Sequence, residues 1–90
     1  MEKAVITVLG VDKIGIIADI SAIMKKCNIN ILDISQTIMQ DLFTMMMMVD
    51  ISVSNKTFDE VKFMLDDMSK ELGLSIKIQH MDIFQSMHRI

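Results

Sequence analysis

The chain is 90 residues long, 51% apolar and 23% charged, with no proline; this describes one packed domain spanning 1–90 and excludes a long disordered segment. Twelve acidic residues against nine basic ones give a formal charge of -3, and Arg89 is the only arginine, so a nucleic acid would have to bind against the protein's own mean field. Cys27 has no second cysteine to pair with, the opening MEKAVITVLGVDK lacks the tripartite form of a signal peptide, and no apolar run reaches the roughly 18 residues of a membrane span, so the expectation is a soluble cytoplasmic protein.

From Lys3 to Gly10 the residues alternate, Ala4, Ile6 and Val8 against Val5, Thr7 and Leu9, which predicts a strand buried on at least one side. Val11, Asp12 and Lys13 break that period. From Ile14 apolar residues recur at helical spacing through Ile16, Ile17, Ile20, Ile23, Met24 and Cys27, which predicts an amphipathic helix with Asp19, Lys25 and Lys26 facing water. Between Asn28 and Gln40, Leu32, Ile34 and Ile38 alternate with Asp33, Ser35 and Thr37; between Leu42 and Val53, Phe43, Met45, Met47, Val49 and Ile51 share a face. A turn at Gln40 and Asp41 would set Ile34 opposite Met47, Leu32 opposite Val49 and Ile38 opposite Phe43, so that the apolar faces coincide. That dipeptide is a weak hairpin signal, and a loop of about three or four residues is the alternative.

Thr57 followed by Glu60 is a capping box opening a second helix, with apolar residues at Phe58, Val61, Leu65, Met68 and Leu72 and a left-handed stop at Gly73. Leu74, Ile76 and Ile78 alternate with Ser75, Lys77 and Gln79 as a last strand, and Asp82 is placed to cap a short helix carrying Ile83, Phe84, Met87 and Ile90. The order strand, helix, strand, strand, helix, strand is the α+β ferredoxin-like βαββαβ sandwich, a four-stranded antiparallel sheet in the order 4-1-3-2 with both long helices on one face and a short C-terminal helix. Its open face would carry Ser35, Thr37, Thr44, Met46, Met48 and Lys77, too apolar at the centre for ordinary solvent surface. Cover by a second subunit or by the C-terminal tail is expected.

The segment GVDKIGIIADI joins the first strand to the first helix, and the backbone N–H groups near Ile14, Gly15, Ile16 and Ile17 are that helix's unsatisfied donors at the positive end of its dipole. A carboxylate or phosphate would fit there. Gly15 leaves room for close approach, and Asp12 is suited to receive an ammonium group. The plainer alternative makes Asp12 the helix cap and Gly15 a packing residue.

GVDKIGIIADIS, NINILDISQTIMQDLFTMMMMVDIS and the terminal MHRI together resemble the ACT domain, most closely the small stand-alone ACT-domain proteins of bacteria and archaea, and the resemblance covers essentially the whole chain. It implies a homodimer that binds an amino acid between the first turn of one subunit and the second strand of its neighbour. On that reading Gly15 matches the turn glycine, Asp12 its acidic neighbour, and Asn30 with Ile31 the strand start that closes on the ligand. The glycine cleavage repressor, a relative with tandem domains of this kind, makes a protein-binding adaptor the family-consistent alternative.

Gln36 shares a face with Ile34 and Ile38 and is either a hydrogen-bonded core amide or a further ligand contact. Four consecutive methionines, Met45 to Met48, invite a cuprous site, but a strand splits them between two faces, and Met is a common core filler. Cys27, His80 and His88 have no metal-ligand spacing, so neither a metal nor another cofactor is expected. The first turn has Lys13 where an acylphosphatase on this scaffold needs an arginine, and the first strand lacks the aromatics of an RNA-binding sheet. No catalytic residue is assigned, and an enzyme on this scaffold ranks behind a binding domain.

Overall fold

Ala4, Ile6 and Val8 are fully buried on one face of β1 (Lys3–Val11), and that face defines the core side of the sheet. The structure, a computed structural model, describes residues 1–11 and 15–87. After β1 come α1 (Ile16–Lys26), β2 (Asn30–Met39), β3 (Leu42–Asp50), α2 (Phe58–Leu72), β4 (Ser75–His80) and α3 (Met81–Met87). The four strands form one antiparallel sheet in the order β2-β3-β1-β4, the ferredoxin-like arrangement with β1 and β3 central.

Phe43, Met45, Met47 and Val49 of β3 and Ile76 and Ile78 of β4 join the β1 residues in the core, covered by Ile16, Ile20 and Met24 of α1 and Val61 and Leu65 of α2. Both ends of α2 are set by local chemistry. The Thr57 hydroxyl accepts from the Glu60 N–H and the Glu60 carboxylate accepts from the Thr57 N–H, the reciprocal pair that satisfies two otherwise orphaned donors. Gly73 ends α2 in the left-handed region at φ 70°, as expected of a C-terminal glycine. Asn28, also at positive φ, follows α1; its amide donates to the Val53 carbonyl, and the Asn55 amide donates to the Lys26 carbonyl, tying the loop after β3 to the end of α1.

The β2–β3 hairpin turns at Gln40 and Asp41, and Ile34 faces Met47 and Ile38 faces Phe43 as expected. A bulge between Ile31 and Asp33 shifts the rest, so Ile31, not Leu32, lies opposite Val49. The extra residue re-aims the start of the strand. The first helix begins at Ile16 rather than Ile14, and Gly15, not Asp12, stands at its N-cap position. The last helix starts at Met81, directly on the end of β4, which puts Asp82 in its first turn rather than at its cap. Asp12, Ile14 and the MHRI residues 88–90 lie outside the described residues.

The tail provides part of the expected cover. Val5 points to the open face yet is buried, because Met81, Phe84 and Gln85 of α3 lie over that end of the sheet. Toward the hairpin end the same face is bare, and Val11, Leu42 and Met39, aligned across three strands, are all exposed.

Candidate functional site

Gly15 sits at φ 86° and ψ 7°, the left-handed region, and its carbonyl accepts the first intrahelical bond from the Asp19 N–H at 2.9 Å. The N–H groups of Ile16, Ile17 and Ala18 therefore precede the helical ladder, and no side chain among the described residues caps them. The positive end of the α1 dipole lies behind them, and a Cβ built on Gly15 meets no described atom within 4 Å. Ile16 contributes to these N–H groups through its backbone alone, because its side chain is buried in the core.

Asn30 and Ile31 open β2 at the other end of the sheet. Val11, the last residue of β1, pairs with Leu42, and Leu42 with Met39; Asn30 pairs with Asp50, and Asp50 with Lys3. The end of β1 and the start of β2 are thus separated by the length of a nine-residue strand, roughly 27 Å at about 3.4 Å per residue. Within one chain Gly15 and Ile16 do not meet Asn30 and Ile31.

Asn30 is exposed and Ile31 half-buried against the core. Gln36 is not the core amide expected: it lies on the helix-side face opposite Met45 but is exposed, because β2 is an edge strand that the helices leave largely uncovered. Ile34 and Ile38, on the same face of that edge, are 37% and 57% exposed.

Sequence reasoning missed Asp50, which stands beside Asn30. Its carboxylate accepts from the Ser52 hydroxyl at 2.6 Å and from the Ser52 N–H at 3.0 Å, and these bonds hold it below the usual carboxylate range. The D-x-S spacing of an Asx turn was the available signal. At the same end, His80 stacks on Phe58 with ring centroids 4.1 Å apart and lies 3.7 Å from the Glu2 carboxylate. Cys27 is buried, its thiol 3.8 Å from the Met64 sulfur, and burial pushes its pKa up. Among the described residues no three His, Cys, Asp or Glu side chains converge as metal ligands, and no helix is long and apolar enough to cross a membrane.

The four methionines split as their alternation requires. Met45 and Met47 are fully buried in the core, while Met46 and Met48 face the other way and line a concavity beneath α3.

A family model described as the ACT domain matches residues 2–79. A UPF0237 protein of Clostridium acetobutylicum is 59% identical over 88 residues, covering 98% of this chain and 99% of the relative. A UPF0237 protein of Methanococcus maripaludis is 50% identical over 90 residues, covering 100% of both. Among solved structures, an ACT domain protein from Streptococcus pneumoniae superposes with a TM-score of 0.79 at 38% identity, over 93% of this chain and 94% of the other.

Proposed function

The chain belongs to the ACT-domain family, and from that premise we propose that it is a regulatory binding domain, one domain over 1–90, that holds an amino acid or similar small ligand between two copies of itself. The separation of Gly15 from Asn30 carries the reading. If two copies pair antiparallel along their exposed β2 edges, the Asn30 end of one strand lies beside the Met39 end of the other, next to the turn that holds Gly15. The partner's Asn30 and Ile31 then face the N–H groups of Ile16 to Ala18 across the interface. The ligand carboxylate takes those N–H groups, as anions do at helix N-termini, and the ammonium goes to Asp12. Ile34 and Ile38, half-exposed in one chain, are covered by the same pairing.

On this reading the protein is not an enzyme and needs no cofactor or metal; it works in the cytoplasm, away from membrane and nucleic acid. A thermal-shift screen of the common amino acids, run beside sedimentation, tests it. The expected result is a dimer stabilised by one or a few amino acids, by about 2.7 kcal/mol at a hundredfold excess over the dissociation constant. A monomer at high micromolar concentration removes the site. A dimer that no amino acid stabilises at millimolar concentration leaves the protein-binding adaptor, the reading favoured by the bare apolar row Val11, Leu42 and Met39.

A further inference from the structure

We infer that the concavity beneath α3 is a second, separate binding site, for a small organic amine with an apolar body. Its volume is about 330 Å³, at the lower end of the roughly 300–1,000 Å³ typical of small-ligand sites. Val5 and the thioethers of Met46 and Met48 form its floor on the sheet, and Met81 and Phe84 of α3 form its wall. Unbranched thioethers reshape around different apolar bodies at low cost, which suits a floor built from Met46 and Met48.

Among the described lining residues the charge is of one sign. Asp33 stands at the edge of the concavity beside Ser35, at the bulge that re-aims the start of β2. Its Oδ1 accepts the Ile34 N–H at 2.9 Å, which orients the carboxylate and leaves Oδ2 for a donor from outside. Lys3 and Lys77 share this face of the sheet, but neither lines the concavity. Lys77 is on β4, three strands from Asp33 on β2, roughly 14 Å away at about 4.8 Å per strand. Among the described residues a protonated amine therefore has a partner here and a carboxylate has none. The chemistry distinguishes this site from the proposed amino-acid site, which uses backbone N–H groups at the start of α1, although Asp33 stands on the same edge strand, β2, that the proposed pairing uses.

Methyl-labelled methionine NMR on the intact chain tests the inference, with 2-phenylethylammonium as probe, 3-phenylpropionate as its anionic counterpart and methylammonium as the head group alone. The expected result is a saturable shift of the Met46, Met48 and Met81 methyls by the amine at millimolar concentration, with neither counterpart matching it. Asp33→Asn keeps an acceptor for the Ile34 N–H but loses the charge, so it should fold normally and bind the amine about tenfold more weakly. Binding of the carboxylate equal to that of the amine, shifts confined to other methionines, no saturable shift, or unchanged affinity in Asp33→Asn would each overturn it.

Discussion

Gly15 and Asn30 stand at opposite ends of the same sheet, one following the Val11–Leu42 pair and the other paired with Asp50. No side-chain rotation in one chain joins them, so a ligand that touches both must lie between chains. The β2 edge is the surface that would bring them together, and Ile34 and Ile38 are its exposed apolar residues. Replacing both by Lys should give a monomer by sedimentation with an unchanged circular dichroism spectrum, because neither side chain is part of the buried core. A double variant that remains dimeric would place the interface elsewhere.

Gly15 is held at φ 86°, where an L side chain costs about 1–2 kcal/mol, and an added Cβ meets nothing described within 4 Å. Gly15→Val should therefore lose roughly that much stability through backbone strain alone, and lose the amino-acid thermal shift as well. Gly15→Asn tolerates the left-handed conformation better and should recover most of the stability. If the thermal shift survives in Gly15→Val, the turn does not cradle the ligand.

Sequence pattern carried the fold because the signals were local or periodic. The Thr57–Glu60 capping box and the Gly73 stop are written within a few residues, and the hairpin register from Ile34 to Met39 follows from matching apolar faces. Leu32 escaped because a bulge has no period of its own. Gln36 was placed on the correct face, but whether that face is buried depends on how far the helices reach over an edge strand, and alternation along β2 is silent on that. The separation of Gly15 from Asn30 needed the topology, and the approach of Met81 to Met46 and Met48 needed the tail to fold over the open face.

Met46 and Met47 are neighbours in sequence with opposite surroundings, 39% and 0% exposed. Met47→Ala should cost about 2–5 kcal/mol, the range for emptying a packed core position, whereas Met46→Ala should cost under about 1 kcal/mol. Urea denaturation with unchanged slope measures both. Equal losses would mean that the open face is packed as tightly as the core.

Gly10 packs so closely on Leu74 that a Cβ added to it would collide with the Leu74 Cδ2 methyl. Gly10→Ala should cost about 1–3 kcal/mol, the usual range for overpacking. The obstacle is the end of a side chain rather than backbone, so Leu74→Ala should offset part of that cost. A double-mutant cycle reads the coupling directly, and additive losses would mean that the two residues do not meet in solution.

Two carboxylates make the acid side of the stability curve predictable. Glu60 is held below its ordinary range by the Thr57 N–H and then by the Thr57 hydroxyl, and Asp50 by the Ser52 hydroxyl and then by the Ser52 N–H. Because both groups bind protons less readily in the folded chain than in the unfolded one, protons favour unfolding as the pH falls through the carboxylate range. Their contribution is complete above the ordinary carboxylate values, near pH 4, and is lost on passing through the lower folded ones. Glu60→Gln and Asp50→Asn keep an oxygen that accepts the same backbone N–H but cannot titrate, so the double variant should be less stable than the parent at pH 7. Its melting temperature should also fall less steeply between about pH 5 and pH 3, with the two proteins converging at the acid end. Parallel melting curves across that window would mean that neither carboxylate is held in its hydrogen bonds in solution.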